Sequence, residues 1–274
     1  MRWMILLAGL LTSALPLARA QAEASPKCAA PEDAAGTATP LPHVSDALRP
    51  GATLNVLAIG SATLFRPDAS LAPTSLLGQS FRGATTTTVP SAQVMNETPS
   101  GTAFPQQMAA ALERAVPGLK VKVTARGGRG LSATDQLQLL TEMLEQEKFQ
   151  LVLWQTGTVE AVRNLPPSEF AQTLADGAEK TVQAGADLVL VDPQFSRFLQ
   201  TNSNIEPYEQ AFQYVGSMPN VLLFHRFDLM HSWVNDGQID LERTPKIDRL
   251  SAVEHLHTCL GLQLSRLVLG GARS

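Results

Sequence analysis

Leu54-Asn55-Val56-Leu57-Ala58-Ile59-Gly60-Ser61-Ala62-Thr63 is an apolar run that breaks at a glycine into small residues. It reads as the first strand of an α/β sheet, turning sharply at its carboxyl end, where open parallel sheets place their chemistry. Downstream the chain alternates helix-like and strand-like stretches in the βαβ manner. Helix Pro105 to Val116 leads to strand Lys120 to Thr124, and helix Ala133 to Gln146 leads to strand Gln150 to Trp154. Helix Pro167 to Ala184 leads to strand Leu188 to Val191, and a helix near Pro207 to Tyr214 leads to strand Val221 to Phe224. The result is an α/β fold with a five-stranded parallel sheet. A last helix between Leu250 and Leu269 packs Leu260, Leu264 and Leu267 on it.

The 274 residues, 44% hydrophobic with a formal net charge of -4, suit one globular domain with a sizeable core. A mildly acidic chain without a basic block has no electrostatic footprint for nucleic acid or anionic lipid. Arg2, the apolar stretch Ile5 to Leu17 and Ala18-Arg19-Ala20 have the order of a signal peptide with its cleavage site. The organisation is therefore a signal segment at 1–20, a leader at 21–50 and one domain at 51–274. No later apolar run is long enough to span a bilayer, so the mature chain is expected to be periplasmic or secreted. In that compartment Cys28 and Cys259 are candidates for a disulfide, the alternative being two separate small apolar side chains. Ser25-Pro26-Lys27 before Cys28 does not fit a lipid-anchor signal.

The leader, rich in Ala and Pro, is expected to run over the surface, tied down at Cys28. Phe65 to Phe104, rich in Thr, Ser and Pro, reads as a lid or as disordered chain. Asn96-Glu97-Thr98 matches a glycosylation acceptor. No phosphate-binding loop, haem motif or metal-ligand spacing appears, so neither cofactor nor metal is expected.

From Leu54 onward the chain resembles the SGNH (GDSL-type) hydrolases, and the resemblance implies their three-layer, flavodoxin-like architecture. Members similar to this chain end the first strand in Gly-Asp-Ser or Gly-Ser-Ser, with the last Ser as nucleophile. Here Ala62 holds that position. Ala125-Arg126-Gly127-Gly128-Arg129-Gly130 fills the second block, putting Gly130 on the oxyanion-hole glycine; a flexible turn after a strand is the plainer reading. Trp154-Gln155-Thr156-Gly157-Thr158 matches the third block, but the Asn expected next, a second oxyanion donor, is Val159. In the last block, Asp-x-x-His becomes Asp248-Arg249-Leu250-Ser251, with Ser251 in place of the general base. A competing register through Glu254-His255-Leu256-His257 makes His257 the base, but places it inside the apolar helix pattern.

Loss of the Ser or His of a serine hydrolase costs about a million-fold in turnover, and loss of one oxyanion donor about a hundred- to a thousand-fold. Ser61 is the neighbour able to substitute, although one step along a strand end turns its side chain to the opposite face. Asp192 and Gln194 follow a strand end in Asp192-Pro193-Gln194 and are candidate ligand contacts, the alternative being a strand stop at Pro193. His225 and His231, near Trp233, read as structural, and His255-x-His257 points two ways on a helix. Two functions follow. One is a non-catalytic member outside the cytoplasm that binds a glycan, an acylated ligand or a partner protein. The other is an esterase or deacetylase with Ser61 as nucleophile and His257 as base.

Overall fold

A computed structural model describes residues 28–30, 39–71, 93–95 and 98–274. Its centre is a six-stranded sheet in the order β2-β3-β1-β4-β5-β6. The strands are β1 (Thr53–Gly60), β2 (Gln93–Met95), β3 (Lys120–Arg129), β4 (Leu151–Gln155), β5 (Asp187–Val191) and β6 (Val221–Phe224). Five of them pair in parallel. The sixth, β2, pairs antiparallel with the end of β3. The expected five-stranded parallel sheet is thus corrected by one edge strand inside the segment read as lid or disorder. Three residues between Thr/Ser/Pro-rich flanks are too few to show a strand period.

The helices are α1 (Pro42–Ala47), α2 (Phe104–Ala115), α3 (Ala133–Gln146), α4 (Thr158–Arg163), α5 (Pro167–Gln183), α6 (Arg197–Asn202), α7 (Glu206–Gly216), α8 (Arg226–Asn235) and α9 (Arg249–Gly271). They form the outer two of three layers, and β6 shows the alternation directly. A Cβ on Gly271 of α9 would meet Leu222, whereas one on Gly216 of α7 would meet the next residue, Leu223. Trp154 on β4 faces α5 so closely that a Cβ on Gly177 would lie 2.1 Å from its ring. Its indole N–H donates to Gln136 of α3 at 2.8 Å. The strands β4 and β5 are buried along their whole length, as continuous apolar runs covered on both faces should be.

Two expectations about local structure are corrected. The leader contains α1, whose Leu41 and Val44 flank are fully buried, and Asp187 at the start of β5 accepts hydrogen bonds from the Val44 amide and from His43. The Gly-rich block after Thr124 is strand as far as Arg129, so the strand is longer than expected and the turn begins only at Gly130. The signal segment, residues 21–27 and 31–38 of the leader, residues 72–92 of the segment read as lid or disorder, and Asn96 and Glu97 of the acceptor triplet lie outside the described residues. Among the described residues no helix is long and apolar enough to cross a membrane.

Candidate active site

Strand β1 has β3 on one side and β4 on the other, so the chain changes direction across it. The crevice at such a switch point, beyond the carboxyl ends of the strands, is where doubly wound sheets bind ligands. Gly60 ends β1 with φ +154°, and a Cβ there would lie 2.5 Å from the Gln155 carbonyl oxygen. Its register partner Gly127 is closer still, a Cβ falling 1.8 Å from the Gly60 oxygen. Only glycine lets the three strand ends approach in this way.

Ser61 follows as the cap of a 3₁₀ turn over Ala62–Leu64. Gln155 Nε2, from the end of β4, donates to Ser61 Oγ at 2.7 Å. Thr63 Oγ1 donates to Gln155 Oε1 at 3.0 Å, which uses its hydroxyl hydrogen. The 2.9 Å contact between Ser61 Oγ and Thr63 Oγ1 is therefore donated by Ser61. The three side chains close a ring across the crevice, and the Ser61 proton is spent within it. Ala62 is buried beside it and carries no polar atom.

His257 lies elsewhere, on α9. Its Nδ1 accepts the Phe104 amide at 3.1 Å, so the ring proton is on Nε2 and is donated to Ser70 Oγ at 2.9 Å. Burial, with help from the nearby Arg226 guanidinium, holds the imidazole down to about 3. The structure pairs His257 with Ser70 instead of Ser61, in the tautomer opposite to that of a base. No hydrogen bond joins His257 to Ser61 among the described residues. Ser70 gave no signal in the sequence, standing within a segment without pattern.

The remaining positions sort by environment. Gly130 follows β3 with φ +75°, and the Arg163 guanidinium lies 3.6 Å from where its Cβ would be. Val159 is buried in α4. Asp248 caps α9 without using its side chain, and the exposed Ser251 donates to the Asp248 carbonyl at 3.0 Å. Asp192 is engaged by the protein's own backbone. It is buried and accepts the Phe227 amide at 2.8 Å at the entry of α8, and burial pushes it up to about 8 against the pull of that bond and of Arg226. Gln194 Nε2 donates to the Ser70 carbonyl at 3.2 Å. His225 stands 4.0 Å from Asp192, and His231 stacks on Phe195. Glu160, which sequence reading passed over, is buried between two helix entries, accepting the Ala133 amide at 2.5 Å and the Gly157 amide at 3.1 Å. Burial raises its carboxyl despite those bonds. Among the described residues no cluster of three metal-ligating side chains forms.

The match to the non-GDSL lipase-like family runs over residues 27–274. The chain belongs to that family. The curated proteins hold no match to it. Among solved structures, this non-GDSL lipase-like protein is similar to a catalytic mutant of an acetylxylan esterase from Geobacillus stearothermophilus. Identity is 14% over 80% of this chain and 95% of that one, with a TM-score of 0.55. A second mutant, described as an acetyl-xylooligosaccharide esterase from Geobacillus, gives 14% identity, 81% and 96% coverage and a TM-score of 0.54. At this identity the likeness is one of fold, and it agrees with the SGNH-type architecture.

Proposed function

We propose that this non-GDSL lipase-like protein acts outside the cytoplasm as a non-catalytic binding protein whose ligand is an acylated molecule, a glycan or a partner protein. The observation that carries the reading is the Ser61–Thr63–Gln155 ring. The Ser61 hydroxyl is hydrogen-bonded to an amide and to the Thr63 hydroxyl, and neither removes a proton at neutral pH. Ala62, Val159 and Ser251, at three of the working positions that the resemblance to SGNH hydrolases implies, point the same way. The signal-like first twenty residues and the Cys28–Cys259 disulfide support an oxidising compartment. Apolar lining of the cavity described below favours an acylated ligand over a glycan.

The second reading, an esterase or deacetylase with a rearranged site, draws on one contact, Ser70 to His257. Both readings meet one experiment. The mature protein and its Ser61→Ala and Ser70→Ala variants are assayed on short acyl esters, with a serine-directed phosphonate and mass spectrometry. No turnover and no label is expected. Turnover with a labelled Ser61 or Ser70, lost in the matching variant, would establish a rearranged hydrolase and end the non-catalytic reading.

A further inference from the structure

A cavity of about 300 Å³ opens between α6, α8, the loop at 239–242 and the start of α9. None of Ala62, Gly130, Val159 or Ser251 lines it. Phe195, Met230, Trp233, Ile239, Leu241 and Leu256 give it a largely apolar lining. Four charged residues stand around it, and their pairing decides what it can hold. Arg197 makes a bidentate bond to Asp240, at 2.7 and 3.1 Å, and a further one to Glu242 at 2.8 Å. Arg243 reaches Asp240 from outside at 3.8 Å. The two carboxylates are thus already matched by two guanidinium groups. Arg249 is different. Its Nε donates to the Thr244 carbonyl at 3.1 Å, and its two terminal nitrogens have no partner among the described residues.

Ser70 supplies a second donor. It lines the same cavity and is 8% exposed. Because His257 Nε2 donates to Ser70 Oγ, the hydroxyl keeps its own hydrogen for another acceptor. An apolar lining that also includes a cation and a hydroxyl donor suits an anionic amphiphile. Two exposed apolar residues, Ile247 at 89% and Leu250 at 57%, stand either side of Arg249 in the chain.

We propose that this cavity binds a medium-chain carboxylate, with the chain over Met230, Trp233 and Leu256 and the carboxylate on Arg249 and the Ser70 hydroxyl. This deepens the acylated-ligand reading and rests on it for its biological meaning, but the site is separate from the residues that would catalyse ester hydrolysis at the strand end.

The test is calorimetric titration of the mature protein with sodium octanoate, 1-octanol and sodium acetate, beside Arg249→Ala and Val234→Trp. Val234 is a half-buried lining residue of α8, and the larger Trp there takes up cavity volume. Octanoate is expected to bind saturably and more tightly than octanol, with acetate silent. Arg249→Ala should weaken octanoate about tenfold and leave octanol unchanged, as loss of one charge-assisted contact predicts. Val234→Trp should abolish both. No saturable octanoate binding, equal binding of octanol, or indifference to Arg249→Ala would overturn the proposal. Arg249→Ala decides alone if Val234→Trp fails to fold. Ester turnover in the separate assay would end the non-catalytic reading while leaving the octanoate result to judge the cavity.

Discussion

At the scale of single residues, Ser61, Thr63 and Gln155 occupy one another's polar atoms at the crevice. Removing the Ser61 hydroxyl leaves Gln155 Nε2 without its acceptor and takes from Thr63 Oγ1 its donor, while the bond from Thr63 to Gln155 Oε1 stays. Ser61→Ala is expected to cost about 1–2 kcal/mol in a denaturant titration, while leaving ester turnover at its background. His257 makes a second prediction, visible in pH. Its ordinary value of 6.5 falls to about 3 on folding, so between those values the unfolded chain binds more protons. Its stabilising contribution is complete above 6.5 and is lost as pH falls toward 3, at up to about 1.4 kcal/mol per pH unit. Asp192 runs the other way. Its carboxyl rises from 3.8 to about 8, so that contribution is present below 3.8 and is lost as pH rises through about 8. Arg226, fully buried between them and lowered to about 10 by burial, stays charged throughout. Stability measured from about pH 4 to 7 should therefore be flatter in the natural protein than in Asp192→Asn, which keeps only the rising arm. A nitrogen NMR spectrum should show His257 neutral with its proton on Nε2 at pH 5.

At the scale of elements, close approach explains why the strand ends read as they do. The pair Gly60 and Gly127 lets β1, β3 and β4 converge, and Gly177 lets α5 sit on the Trp154 ring. Gly177→Ala should cost about 2 kcal/mol, because the indole is anchored at Gln136 and has little room to retreat. Glu160 ties α3 to α4 by accepting an amide from the entry of each. Glu160→Ala leaves two buried amides bare, with an expected loss of about 2–4 kcal/mol in thermal or denaturant unfolding. The match at Trp154-Gln155-Thr156-Gly157-Thr158 was legible in sequence, yet the work of its members was not. Trp154 belongs to the core, Gln155 to the crevice, and Gly157 to a left-handed turn at φ +90° against Phe212.

At the scale of the molecule, the first and last parts of the chain are fastened together. Cys28 and Cys259, 231 residues apart, form a disulfide. Trp233 donates its indole N–H to the Ala29 carbonyl at 2.7 Å, and Gln263 donates to the Cys28 carbonyl. The Leu41 amide bonds the Gly271 carbonyl at the far end of α9. Closing so long a loop restrains the unfolded chain, and the Cys28→Ser, Cys259→Ser double variant should lose about 3–5 kcal/mol in chemical denaturation. The variant should still fold, because the sheet and its covering helices form a continuous core without the bridge.

The order of the five parallel strands, the helices α2, α3, α5, α7 and α9 and the family were legible in the sequence alone, since apolar period and local motif are properties of neighbouring residues; Ala62, Val159 and Ser251 stand where the resemblance puts working residues. The pairings were not legible there. That Ser61 would close a ring with Gln155, that His257 would meet Ser70 with its proton on the wrong nitrogen for a base, and that Asp192 would cap α8 all depend on residues brought together from distant segments. β2, α1, α4, α6 and α8 also went unread: β2, α1, α4 and α6 are of six residues or fewer, and β2 and α1 are held in place by β3 and Asp187 where local propensity would not hold them.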